Sequence, residues 1–543
     1  MTTRAEPTRV GASVAVDPRR IAPTLLAAVL GAIYVLVSPP SFDLAAHLFR
    51  AQLFRMEGFG IWNNLWYSGH HDVSYSVLFP PVSAWLSPQL AAALAATGTA
   101  ALFESLAHRH FGPDAWLGSL VFAAATATNL FTGRLAFAFG ALPAMAAVVA
   151  LDRRRPWIAS ALAVVSALCS PVAALFAALA GAAFAIGSLV RERQARAAMP
   201  GIAVAIAALA PVGLLAIAFP EGGNEPFAFS AMWPIPLLAI GALLVLPREA
   251  VILRTGVILY ALGVIASYLV PTAVGSNAVR LGTLIAAPLA ALVWWPRRIV
   301  LLALAALPLL YLEWHDSVRD LATATGTPYT TAGYYQPLLR FLSRQAGPPF
   351  RVEIPFTAFH WEAYAVATRF PLARGWERQL DIAENPIFYR GPLNATTYEA
   401  WLHRNAVRFV AAADAPLDYS AKPEMALIDR GVPYLHLVLR TAHWRVYEVV
   451  GATPIAQGAA TLAAIGANSV TLRSNRAGTT LLRVRFTPYW ALAQGVGCVQ
   501  PAGDFTSLRL DRPGPVRLVI RFSLSRIGAR SPRCTARTLA SSG

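Results

Sequence analysis

The stretch "SFDLAAHLFRAQLFRMEGFGIWNNLWYSGHHDVSYS", Ser41 to Ser76, gathers titratable side chains directly after the first long apolar segment. Asp43, His47 and Arg50 recur at a spacing that places them on one face of a helix. A carboxylate in that position can take a proton from a hydroxyl as a general base. It can equally cap a helix over 43–57, because Pro39 and Pro40 end the preceding segment and Asp is a favoured N-cap. His47 could orient the carboxylate or hydrogen-bond a polar ligand. His47 and Arg50 could also be the polar side of an amphipathic interfacial helix with Leu44, Leu48, Phe49 and Leu53 in lipid, the reading favoured for Arg50.

His70, His71 and Asp72 are metal-donor types, yet adjacent histidines rarely share one ion and no spaced Cys or His completes a set. No metal is therefore expected, and a ligand-binding or loop-packing role is favoured. Trp62, Trp66, Tyr67 and Tyr75 around them fit an interfacial belt better than ring stacking. Arg280 follows the polar turn "GSNAV" and opens an apolar segment, where a guanidinium can grip a phosphate in two-pronged fashion or snorkel to head groups. Arg134 in "TGRLAF" is a second phosphate or sugar ligand by the same chemistry.

The elements that must position these residues are membrane helices. The chain has 543 residues, is 56% hydrophobic and 13% charged, and has a mean hydropathy of +0.51, values that describe an integral membrane protein. The formal charge of +17 does not point to nucleic acid, because its distribution follows the membrane. Lys422 is the only lysine, and the arginine and alanine excess reads as GC-rich coding. Eleven apolar segments stand at about 21–38, 82–103, 115–132, 135–151, 157–169, 171–190, 200–219, 231–247, 255–274, 279–295 and 299–312. Ser170 and Pro171 divide 157–190 into two short helices of a tight hairpin, or else kink one helix. With the N-terminus inside, inner segments hold fifteen arginines from Arg4 to Arg298, and outer loops hold Arg50, Arg55, Arg134 and Arg280. The 21–38 span reads as a signal anchor in the plasma membrane, after a cytoplasmic tail over 1–20. The 39–81 loop and everything past 313 then face outward.

Composition changes at Glu313. "RVEIPF", "VRFVAAA" and "WRVYEVV" read as strands, and "TTYEAWLHRN" and "AKPEMALIDRG" as helices, giving an extracytoplasmic α/β domain within 313–450. "NSVTLRSN", "TTLLRVRF", "FTSLRLD" and "PVRLVIRFSL" give a β-sandwich over 451–543. Cys498 and Cys534 in that module are expected to pair in an oxidising compartment, while Cys169 packs in a span. "NAT" at 394–396 is expected to carry no glycan, and the basic "GARSPRCTAR" reads as a surface tail.

The central portions of the segments hold no Asp, Glu, Lys, Arg or His; the titratable groups, Glu221 and Glu225 included, collect at the outer rim. Such a rim suits a substrate with a polar head and a lipid tail. An Asp opening the first outer loop above such a bundle, with a C-terminal outer region, resembles the GT-C glycosyltransferases. "FDLAAHLFRAQLF", "TGRLAFAFGALPA", "SNAVRLGTL" and "FTPYWALAQGVGCVQPAGDF" are similar to segments of uncharacterised bacterial relatives that include the YfhO-like proteins. The resemblance implies a GT-C-like bundle of about eleven spans and a polyprenyl-phosphate sugar donor. It further implies a glycan or lipid acceptor in the cell envelope and Asp43 as the catalytic carboxylate. His47, His70, His71, Asp72, Arg134 and Arg280 would bind substrate. The chain departs from metal-dependent oligosaccharyl transferases in lacking a D-x-D pair in the first loop, so no cofactor is expected. Two other classes remain open: a transporter or flippase of lipid-linked glycans, and a non-catalytic scaffold of envelope assembly.

Overall fold

Proline starts many of the helices, filling the first turn where its missing N–H costs nothing. Pro18, Pro88, Pro156, Pro171 and Pro234 each open one in the computed structural model, which describes residues 17–324 and 326–535. The expected tail over 1–20 lies mostly outside the described residues, as does the end of the basic C-terminal stretch. The apolar helices are Pro18–Val37, Pro88–Phe111, Trp116–Phe131, Leu135–Asp152, Pro156–Cys169, Pro171–Glu192, Ala195–Ala218, Pro234–Val245, Val251–Leu269, Arg280–Trp294 and Ile299–Ala324. Eight stretches are long and apolar enough to cross a membrane, one of them holding the two helices of Pro88–Phe131. That is the make-up of a multi-pass membrane protein. The interior of the bundle is lined by small residues, among them Ala92, Ala123, Ala163 and Ala177, which let the helices approach closely.

The 157–190 region is two helices broken at Ser170, whose extended backbone (φ −158°, ψ 118°) stops the first while its hydroxyl caps the second. The last apolar helix differs from expectation. It runs past Glu313 to Ala324 because its polar residues turn inward: Glu313, Ser317 and Asp320 are buried, and the Ser317 hydroxyl donates to the Thr128 carbonyl at 3.1 Å. Glu313 therefore lies within an apolar helix, where the sequence pattern placed a domain boundary.

Beyond it, four strands form a mixed sheet: β1 (Arg351–Glu353), β2 (Val407–Ala413), β3 (Leu435–Arg440) and β4 (Trp444–Val449). Their order is β1-β2-β4-β3, parallel only between β1 and β2, whose long crossover carries helices Arg378–Glu384 and Ala395–Arg404. Asn394 of the "NAT" triplet caps the second of these helices through a reciprocal box with Thr397.

The final module stacks two sheets. One is β5 (Ala456–Gly458), β8 (Gly478–Arg485), β10 (Gly497–Ala502), β11 (Phe505–Leu510) and β13 (Arg533–Cys534). The other is β6 (Ala460–Ile465), β7 (Ser469–Ser474), β9 (Trp490–Gln494) and β12 (Gly514–Ile520). Alternating residues such as Val470, Leu472, Leu482, Val484, Leu508 and Leu518 fill the space between them. Cys498 and Cys534 face each other across β10 and β13 and are bonded.

The first loop is the seat on which these modules sit, which overturns the expected aromatic belt. Trp66 is fully buried, stacked on Phe49 (ring centroids 4.2 Å apart), and donates to the Ala363 carbonyl at 3.0 Å. Trp62 belongs to the sandwich core beside Trp490. Tyr67, Ser68 and Gly69 all take positive φ, and a side chain at Gly69 would collide with the Trp62 ring. Burying two indoles against protein removes more apolar surface from water than a lipid interface would.

Candidate functional site

Asp43 stands at the N-cap of helix Leu44–Glu57, but its side chain makes no capping hydrogen bond and its backbone is already helical (φ −97°, ψ −7°). The capping role open in the sequence is therefore not used. The carboxylate is deeply set among protein atoms yet keeps partial access to solvent. Burial raises its pKa, and Arg280, Arg134, the Trp376 indole and Arg50 act against that rise.

Each neighbour is held by a separate element. The tight turn at Gly133 (φ +78°) packs on Ser41, so closely that a side chain at Gly133 would strike the Ser41 hydroxyl. His47 clamps the same turn: its Nε2 lies 3.1 Å from the Gly133 carbonyl, which requires a proton on that nitrogen. Burial pushes His47 down to about 3, and it is 1% exposed. His47 thus positions Arg134 rather than facing a ligand. Arg134 is tethered to Asp316 of the last apolar helix at 3.2 Å.

Arg280 opens helix Arg280–Trp294, lies over the Phe137 ring at 5.5 Å, and forms no ion pair among the described residues. Tyr75 belongs to the same cluster, its phenol pushed up to about 12 by burial and then by Asp43. Glu225 completes it from the loop before Phe227. Its backbone N–H is fixed to Thr272 at 2.9 Å, its carboxylate accepts from Ser276, and its pKa is raised by burial against the pull of Arg280.

Arg50 does not lie on a solvent or lipid face as expected. It is 2% exposed, donates to Asp72 at 3.1 Å, pairs with Glu377 and sits 4.1 Å from the Tyr75 ring. Leu44, Phe49 and Leu53 are likewise buried in protein, because the helix is clamped between the bundle and the C-terminal domain. Burial pushes Glu377 up to about 7 against the opposing charge of Arg50.

His70, Asp72 and Glu377 converge, with ligand atoms within 4.8 Å of one another, so the three could hold a metal. A cation there would compete with the Arg50 guanidinium, which already bonds to both carboxylates. His70 stacks on Trp66 and its Nε2 lies 3.2 Å from the Asn63 amide nitrogen. His71 joins three modules: its backbone N–H donates to Glu221, its Nδ1 lies 2.9 Å from the same carboxylate, and its Nε2 lies 3.1 Å from the Thr487 hydroxyl. The structure thus brings Arg134 and Arg280 to Asp43, and places His70, His71 and Asp72 in the junction behind it.

Sequence reasoning missed the contribution of "RGWERQ", 374–379, which brings Trp376, Glu377 and Arg378 to the loop. A run of alternating charges in a sparsely charged chain was the only available signal. Arg374 anchors this segment. It is held by Asp381 at 2.6 Å and Glu424 at 3.3 Å, between the rings of Phe356 and Phe388 at 3.8 and 4.0 Å. Trp376 is backed by His360, ring centroids 3.3 Å apart.

No protein-family model matches the chain, and no curated protein matches it. Among solved structures, it is similar to the archaeal oligosaccharyltransferase AglB from Archaeoglobus fulgidus in complex with an inhibitory peptide and a dolichol-phosphate. The TM-score is 0.31 at 12% identity, over 73% of this chain and 69% of that one. A likeness at that score carries no functional weight.

Proposed function

We propose that the chain is a membrane glycosyltransferase of GT-C type that moves a sugar from a polyprenyl-phosphate donor to a cell-envelope glycan or lipid acceptor. Transfer takes place on the outer face, with the N-terminus cytoplasmic and the modules beyond residue 324 outside. The observation that carries this reading is the Asp43 carboxylate, which caps no helix and lies in the field of Arg280, itself without an ion pair among the described residues. The acceptor hydroxyl attacks the anomeric carbon and the carbon–oxygen bond to phosphate breaks. Asp43 takes the hydroxyl proton, and its raised pKa brings it nearer the working pH of a base. Polyprenyl phosphate leaves with the bonding pair, and Arg280, assisted by Arg134, accepts its charge. The lipid tail stays among the apolar helices.

The test is a deletion strain complemented with wild type or with Asp43→Asn. Lipid-linked sugars should accumulate in the deletion and in the variant, and clear with wild type. A deletion strain with unchanged lipid-linked sugars and envelope glycans would reject the enzyme reading. Reporter fusions should place 153–155 and 191–196 inside and the C-terminal modules outside.

A further inference from the structure

The side-chain cluster around Asp43 is asymmetric. Its bundle side carries Arg134 and Arg280, while its C-terminal side carries a ledge of different chemistry. Arg378 opens helix Arg378–Glu384 and is locked to Asp418 by two hydrogen bonds, Nη1 to Oδ1 at 3.0 Å and Nη2 to Oδ2 at 2.6 Å. Nη1 also donates to the Tyr389 hydroxyl at 3.0 Å. Of five guanidinium N–H groups, the Nε–H and one on Nη2 remain unspent. The guanidinium lies 4.8 Å from the Trp376 ring and 4.6 Å from the Tyr419 ring. Tyr419 is 56% exposed, an unusual fraction for a ring held against a buried ion pair. Glu225 acts electrostatically on Arg378, Tyr419 and Asp43 alike.

Electrostatics sorts the two sides. The charge of Arg378 is cancelled by Asp418, so the ledge offers an anion no net positive charge, whereas the Arg280 side attracts one. An open aromatic face, planar donors fixed in orientation and an opposing carboxylate together match a neutral ring bearing hydroxyls. Such a ring has an apolar C–H face and groups that both donate and accept. An acyl tail leaves the donors unpaired, and an acidic head group meets Glu225.

We infer that Tyr419, Arg378 and Trp376 form the acceptor subsite with Glu225, and that the acceptor placed there is a neutral sugar ring of a glycan. This rests on the glycosyltransferase reading. The ring stacks on Tyr419 and its hydroxyls bond to Arg378 and Glu225, which presents one hydroxyl toward Asp43.

Saturation-transfer NMR on the full chain in nanodiscs tests it with four probes: mannotriose, arabinotriose, tri-galacturonate and a neutral pentapeptide. At least one neutral trisaccharide should receive saturation at its ring protons. Tyr419→Ala should weaken that binding about tenfold, Tyr419→Phe should keep it, and Arg280→Ala should leave it unchanged. Binding of neither neutral trisaccharide, preference for tri-galacturonate or the peptide, or undiminished binding in Tyr419→Ala would overturn the subsite. Transfer retained by Asp43→Asn alongside sugar binding lost in Tyr419→Ala would remove the catalytic assignment and leave the subsite standing.

Discussion

Two adjoining clusters in this protein are built from the same residue types and behave oppositely. In one, Arg50 is closed off from solvent and spends its charge on Asp72 and Glu377. In the other, Arg280 and Asp43 stay within reach of solvent, and neither is spent on an ion pair or a helix cap. The difference separates architecture from chemistry. A buried ion whose partners are fixed in the fold holds elements together, and exchanging those partners for a ligand would be costly. Charges held close without mutual satisfaction are ready for something else.

The largest effect that can break this contrast is at Asp43. Asp43→Asn should fold and insert normally, still bind polyprenyl phosphate, and lose about 10²–10⁴-fold in transfer rate. Near-normal transfer would reduce the Asp43 cluster to packing. Arg50→Ala should do the reverse and unseat the C-terminal domain, costing about 3–5 kcal/mol by stranding two buried carboxylates. Limited proteolysis would read this as cleavage between the last apolar helix and β1; an intact junction would show that the pairing is dispensable. Arg280→Ala should weaken polyprenyl-phosphate binding about 10–100-fold without lowering stability, measured by titration in nanodiscs.

A pH series sharpens the comparison more gently. Burial holds Glu377 at about 7 and Glu362 at about 8, both above their unfolded values. The folded state therefore binds protons that the unfolded chain has released, while buried His47 acts the opposite way below about 6.5, so stability should fall as pH rises from about 6.5 to 8 and level off beyond. Melting followed by tryptophan fluorescence should drop by a few degrees across that window, and Glu377→Gln should flatten part of it. An increase in melting temperature between about pH 6.5 and 8 would contradict the buried-carboxylate assignment. The smallest effect is at Asn394, where Asn394→Ala should cost about 1 kcal/mol through its lost cap and leave transfer unchanged.

The apolar helices and most strands were legible because period and composition are local properties. β2 occupies "VRFVAAA" itself, and the break at Ser170 is where Ser-Pro placed it. Arg280 and Arg134 were legible as exceptions to a charge trend. Arg50, Trp62 and Trp66 were misread because each looked amphipathic in its own neighbourhood while its partner lay far along the chain. Glu377 is 327 residues from Arg50, and no periodicity reports such a contact. The end of the last apolar helix was misplaced for a related reason: Glu313, Ser317 and Asp320 are polar but face inward.

The first loop also dictates when the protein can become whole. His71 meets Thr487 across 416 residues, and Trp62 waits for Trp490 to complete its surroundings. At ordinary synthesis speeds of about 5–20 residues per second, that gap lasts roughly 20–80 s. Trp62 lacks its final partner throughout it, and Trp66 and Arg50 wait 297 and 327 residues for Ala363 and Glu377, while the bundle is already being inserted. A nascent chain is therefore structurally incomplete until its last module has docked, and a chain that stalls early displays those uncovered indoles to any protease that can reach them.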